Sequence, residues 1–222
     1  MERALGTIAG VPVNVTAAGR TDRGVHAREQ VLHFDTQASR PESAWVRGAN
    51  ALLPDSVAIL WSREVDPEFH ARYSARSRTY RYQLLNRAVR PALATSHVGW
   101  FHRPLDVQRM RQAAAQLVGE HDFSAFRSSE CQARTPVRTL YALDIEAHGK
   151  RIDFVLRANA FLHHMVRNVV GTLVYVGKGK HPPEWVTEVL ESRNRAQAAP
   201  TFGPQGLYLE KIQYDARWQL PS

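Results

Sequence analysis

The chain holds one cysteine, Cys131, among 222 residues. That excludes an internal disulfide framework and suits a reducing compartment. Cys131 has no obvious activating neighbour and reads as a packed thiol rather than a nucleophile. No apolar run approaches the roughly 20 residues a membrane-spanning helix needs, and the first residues do not read as a charged-then-apolar signal segment. Lysine is scarce, confined to Lys150, Lys178, Lys180 and Lys211. Acidic residues are absent between Glu68 and Asp106. A phosphate loop is excluded at Gly171–Lys178, where the glycine spacing is one residue too long and no Ser or Thr follows the lysine. The pair His163-His164 is expected on a helix, where adjacent side chains point apart and make a poor metal site.

What is present is a basic globular chain. Apolar residues make up 44% and charged residues 23%, which argues against disorder. Twenty-nine basic against twenty-one acidic residues give a net charge of +8, and the isoelectric point is about 10.0. Such a balance favours polyanionic partners, nucleic acid above all. Arginine richness alone also follows from a GC-rich genome, so its distribution is the stronger signal. The acid-free stretch carries Arg72, Arg76, Arg78, Arg81, Arg87, Arg90 and Arg103, interleaved with Phe69, Tyr73, Tyr80, Tyr82, Trp100 and Phe101. Guanidinium groups hold phosphates bidentately and aromatic rings stack on bases.

The order of elements reads α-β-β-α-β in the first half: a helix over 2–9, strands over 11–17 and 29–36, a helix over 41–52, and a strand over 56–65. The second half predicts strands over 77–86, 138–147, 150–157 and 206–214. Tyr80, Tyr82 and Leu84 share one face, Tyr141, Leu143 and Ile145 point inward, and His148-Gly149 forms the tight turn. Helices are predicted over 104–118, over 161–176 with Leu162, Met165, Val166, Val169, Val170 and Leu173 as its buried stripe, and from Pro182 to about 192. The expectation is an α+β fold of two split-βαβ units, ferredoxin-like or RRM-like. They form a mixed, mostly antiparallel sheet with helices packed on it, and the first unit lacks its first strand. The boundary is placed between 1–66, which carries the loop described next, and 67–222.

Residues 18–28, AGRTDRGVHAR, join two neighbouring strands where a hairpin needs only about 2 to 5 residues. A longer connection on a rigid scaffold is a common place for catalytic groups. Asp22 lies between Arg20 and Arg23, whose charge favours the ionised carboxylate, and such a group can act as nucleophile or base. Asp also caps turns, and the pattern alone leaves both readings open. Tyr80 shares its strand face with Tyr82 and Leu84 and on its own reads as a core tyrosine rather than a catalytic one. Arg167 sits on a helix with no Glu, Asp or Lys before Lys178; a covered arginine there needs a carboxylate, and Asp22 is a candidate.

AAGRTDRGVHA resembles the signature loop of the TruA-type tRNA pseudouridine synthases. FHARYSA (69–75), RTYRYQLLN (78–86), HDFSAFR (121–127), CQARTPVR (131–138), ANAFLHHMVRNVVG (158–171) and GLYLEKIQY (206–214) follow in the family's order. The resemblance implies that Asp22 is the nucleophile, that Arg20 helps extrude the target base, that Tyr80 stacks on the uracil and takes its C5 proton, and that Arg167 pairs with the catalytic carboxylate. Phe69, His70, Ala71, Arg72 and Tyr73, with Gln132 and Arg134, match tRNA-contacting segments. It further implies a cytoplasmic, homodimeric isomerase that uses no cofactor and no metal. Its substrate would be uridine at positions 38 to 40 of the tRNA anticodon stem-loop. The family pattern opens with one further strand, bearing a Tyr-x-Gly-Trp-Gln type motif, ahead of the point where this chain's match begins. A tRNA-binding module without catalysis is the alternative expectation.

Overall fold

A computed structural model describes residues 1–221. The chain divides into two compact units, each assembled from separated segments.

One unit comprises Met1–Arg20, Gln30–Arg76 and the end of the chain from Gln213. Helix α1 (Glu2–Ala9) closes at Gly10, whose N–H reaches the Gly6 carbonyl. Its buried face, Ala4, Leu5 and Ala9, packs with Val13, Trp45 and Ala49 as a core cluster. Strands β1 (Thr16–Ala17) and β3 (Leu32–His33) pair antiparallel as a two-stranded sheet. Both are much shorter than the sequence pattern suggested. Residues 42–50 are helical around a π turn at Ala44–Gly48. The strand expected over 56–65 does not form. The Asn50 side chain takes the place of a ladder there, donating to the Ile59 carbonyl at 2.8 Å and accepting from the Ile59 N–H at 2.7 Å. One amide satisfies one residue, so no strand propagates and Leu60 stays 76% exposed.

The other unit comprises Thr21–Glu29 and Ser77–Ile212. Its sheet runs β2-β9-β4-β8-β7-β6, with a short seventh strand, β5, beside β4. The strands are β2 (His26–Ala27), β4 (Ala75–Asn86), β5 (Gly99–Phe101), β6 (Gly119–Asp122), β7 (Val137–His148), β8 (Arg151–Ala158) and β9 (Leu207–Tyr214). Pairs β4–β8, β7–β8 and β6–β7 are antiparallel, while β2–β9 and β4–β5 are parallel. With α2 (Val107–Ala115) and α3 (Met165–Gly177) as crossovers, the spatial order β9-β4-β8-β7 is that of a split βαβ unit. The mixed α+β architecture is therefore as expected, while β5 and β6 were not anticipated.

Alternation sets the register. Tyr80, Tyr82 and Leu84 oppose Leu156, Phe154 and Ile152 across β4–β8, and all six are buried. Two expectations fail locally. A bulge between Leu140 and Ala142 advances β7 by one residue, so Leu140 is buried and Tyr141 is 45% exposed. The tight turn is Gly149-Lys150, since β7 includes His148.

Helix α3 carries the apolar stripe, with Val169, Val170 and Leu173 fully buried. Asn168 is buried too, and its amide donates to the Phe126 carbonyl at 2.7 Å. Segment 200–203 lies directly on this helix at Gly171, where a Cβ would stand 2.4 Å from the Pro200 carbonyl oxygen. Only glycine allows that approach. Helix α4 (Trp185–Ser192) packs against α2 and α3.

Candidate active site

The loop before β2 turns tightly at Asp22. The Val25 N–H donates to the Asp22 carbonyl at 3.0 Å. Gly24 sits at φ 83, the left-handed region that this turn needs and that glycine enters without cost. The side chain of Asp22 is left 26% exposed, with its two oxygens facing the start of α3.

Arg167, in the first turn of α3, donates from Nη1 to Asp22 Oδ2 at 3.0 Å. The guanidinium is fixed from behind: its Nε donates to the Phe202 carbonyl at 2.8 Å. The backbone completes the link, the Phe202 N–H donating to the Arg167 carbonyl at 3.2 Å. At 13% side-chain exposure Arg167 is covered, and its partner is the carboxylate. A charge-assisted pair of this kind is stronger than a neutral hydrogen bond.

Two further groups reach the same carboxylate. His163 Nε2 lies 3.1 Å from Oδ1 in hydrogen-bond geometry, and His164 Nε2 lies 3.1 Å from Oδ2. This corrects the expectation that the adjacent histidines diverge. They precede the helix rather than belong to it: α3 starts at Met165, and His164 is its N-cap at φ 64. The left-handed backbone folds the two rings together, centroids 4.0 Å apart. Burial first, then the positive charge of Arg167 and the neighbouring His163, hold the His164 imidazole below its usual range despite the opposing pull of Asp22 and Glu130. It is therefore neutral at pH 7.

One carboxylate oxygen of Asp22 and one ring nitrogen each of His163 and His164 lie within 4.8 Å of one another, a donor set that could hold a metal ion. The guanidinium 3.0 Å from Oδ2 already supplies positive charge and would repel a cation there. The set fits a hydrogen-bonded carboxylate better than a metal centre.

Tyr80 projects from β4 and is only 8% exposed. Phe161 packs edge-on against its ring at 5.0 Å and 80°. Burial pushes its phenol up to about 12; Arg78 opposes this and the Asp22 charge adds to it. Tyr82 is also held above its usual range, chiefly by burial, and its hydroxyl donates to the Gly203 carbonyl at 2.8 Å.

The other sequence candidates sort by exposure. Arg20, Arg23, Gln132 and Arg134 are exposed, as a phosphate-contacting group must be. The segment 69–73 is mixed. Phe69 and Ala71 are buried, Phe69 against Tyr214 and Trp218. His70 packs between the rings of His33 and Tyr73, tilted to both. Only Arg72 and Tyr73 are open to solvent, the guanidinium lying 5.8 Å over the ring. Cys131 is half-buried, its sulfur 3.5 Å from the His163 N–H. Among the described residues no helix is long and apolar enough to cross a membrane.

The sequence has counterparts among known proteins. A family model described as tRNA pseudouridine synthase matches residues 2–74 and 113–215. Curated relatives called tRNA pseudouridine synthase A align with the whole chain. The one from Methylobacillus flagellatus is 55% identical over 222 residues, covering 85% of its own length. Those from Nitrosomonas eutropha and Thiobacillus denitrificans are 56% and 58% identical, with 80% and 85% of their lengths covered.

Proposed function

Because the chain belongs to the tRNA pseudouridine synthase family, we propose that it isomerises uridine to pseudouridine at positions 38 to 40 of the tRNA anticodon stem-loop, with Asp22 as the nucleophile. The observation that carries this reading is the Asp22 carboxylate gripped at 3.0 Å by Arg167.

The reaction breaks the N1–C1′ bond, forms a C5–C1′ bond and releases the C5 proton. It leaves the oxidation state unchanged, so a carboxylate, a way to keep the freed uracil captive and a proton acceptor meet its needs. Asp22 can open it by attacking C1′, by abstracting the 2′ proton or by adding to C6. Arg167 keeps the carboxylate oriented before reaction. Extruding the base from the RNA costs a few kcal/mol, and stacking on the Tyr80 ring returns about 1–3 kcal/mol. Arg20, exposed in the same loop, assists extrusion.

Tyr80 then serves as acceptor for the C5 proton. Its phenol is neutral at rest, in part because Asp22 is negative. When Asp22 forms an ester or adduct, that negative charge disappears, and the phenol more readily gives its own proton to solvent, leaving a phenolate that takes the C5 proton. The nucleophilic step thereby prepares the proton-transfer step. Arg72, Tyr73, Gln132 and Arg134 contact the tRNA backbone, which makes binding strongly salt-dependent. A homodimer working in the cytoplasm completes the reading.

The test uses tRNA tritiated at uridine C5. The unaltered chain should free the label, and Asp22→Asn should bind tRNA while freeing none. Turnover by Asp22→Asn would remove Asp22 from its role. Binding without release by the unaltered chain would favour a module that holds tRNA without catalysis.

A further inference from the structure

The His163–His164 pair lies against both oxygens of Asp22. His164 is one of three non-glycine residues at positive φ among the described residues. For an L-residue with a Cβ, that conformation is sterically disfavoured. His164 is also the N-cap of α3 and makes no side-chain capping bond. An ordinary cap such as Ser or Asp would accept from a free N–H of the first helical turn. Local stability is thus given up twice at one position. Retained strain of this kind points to a function for the group it presents.

What His164 presents is Nε2, 3.1 Å from Asp22 Oδ2. Its bent backbone also lays the His163 ring beside it at 4.0 Å, which brings His163 Nε2 to Oδ1. A carboxylate oxygen can only accept, so His163 Nε2 carries the proton and donates it. The His163 backbone is held in turn: its carbonyl accepts from the Ser128 N–H at 2.9 Å. Arg167 alone engages one oxygen, and a carboxylate held at one oxygen can still rotate about its Cβ–Cγ bond. A second donor on the other oxygen removes that freedom.

We propose that His163 and His164 are positioning residues for Asp22: His163 fixes the carboxylate plane by donating to Oδ1, and the left-handed His164 aims both rings while flanking Oδ2. This rests on the reading of Asp22 as nucleophile. The pair touches the nucleophile rather than the RNA, so its loss should reduce the chemical step and spare tRNA affinity.

The experiment is single-turnover tritium release from C5-labelled tRNA, with tRNA Kd measured by filter binding. His164→Gly takes the left-handed backbone freely, so it removes the ring without unfolding the turn. His163→Ala removes the donor, and His163→Gln places an amide N–H near the position of Nε2. His163→Ala and His164→Gly should each slow release about 10- to 100-fold, the scale of a misplaced reacting group, with Kd changed less than about twofold. His163→Gln should recover most of the lost rate. Release by both variants at the unaltered rate overturns the proposal while leaving the isomerase reading intact. A weakened Kd with an unchanged single-turnover rate also overturns it, moving the pair to RNA binding. An unaltered chain that binds tRNA and frees no label overturns the isomerase reading and this proposal together.

Discussion

Arg167 joins Asp22 to Phe202 through a single guanidinium, Nη1 donating to the carboxylate at 3.0 Å and Nε to the backbone carbonyl at 2.8 Å. Two segments far apart in sequence, the 18–28 loop and the 200–203 segment, are thereby tied to one turn of α3. The rigid helix sets the position of the carboxylate, and the second bond keeps the first from swinging.

Arg167→Lys separates charge from geometry. Lysine keeps the positive charge but is a point donor without the planar fork, so it cannot serve both oxygens. We expect the single-turnover rate to fall at least tenfold with tRNA affinity nearly unchanged. The Phe202 carbonyl would lose its partner, and the unfolding free energy should drop by about 1–3 kcal/mol. Rate and urea midpoint measured on the same variant check both. A lysine variant at full rate would mean that charge alone suffices.

How much of this was legible in the sequence depends on how each element is held. Strands β4, β7 and β8 and helix α3 declare themselves because long alternating or periodic apolar runs face a common core, as at Tyr82 opposite Phe154. The first sixty residues misled because period-2 pattern signals a strand only when a backbone partner is present. At Ile59 the partner is the Asn50 side chain. The Arg167–Asp22 contact could be anticipated, since a covered arginine on an uncharged helix must find a carboxylate. The histidines could not. The start of α3 carries none of the usual capping residues, so the apolar pattern ran the helix back over His163 and His164. A left-handed residue that is not glycine leaves no trace in composition.

Gly171→Ala tests whether the 200–203 segment supports the site. The new Cβ would meet the Pro200 carbonyl oxygen at 2.4 Å, an impossible contact that backbone on one side or the other must relieve. Alanine is the better helix former by about 0.5–1 kcal/mol, and overpacking costs typically 1–3 kcal/mol, so the net change should be destabilising. If the segment moves, Phe202 withdraws from Arg167 and the rate falls with it. Urea unfolding and tritium release should therefore decline together. Lost stability with an unchanged rate would show that Arg167 holds Asp22 without Phe202.

Tyr80 gives a pH dependence with a definite sign. Its phenol is raised from 10.0 to about 12 in the folded chain, so folding favours the neutral form. That contribution is fully present below pH 10 and is lost as pH climbs from 10 through 12. That rise corresponds to about 2–3 kcal/mol. Tyr82, raised in the same direction, steepens the decline. Urea midpoints should stay level toward pH 9 and fall beyond pH 10, less steeply in Tyr80→Phe. Asp22→Asn removes the charge that adds to burial in lifting the phenol, so ionisation of Tyr80, followed by its absorbance near 295 nm as the signal missing from Tyr80→Phe, should begin at lower pH than in the unaltered chain. An onset unmoved by Asp22→Asn would break the coupling through which the nucleophile prepares the acceptor.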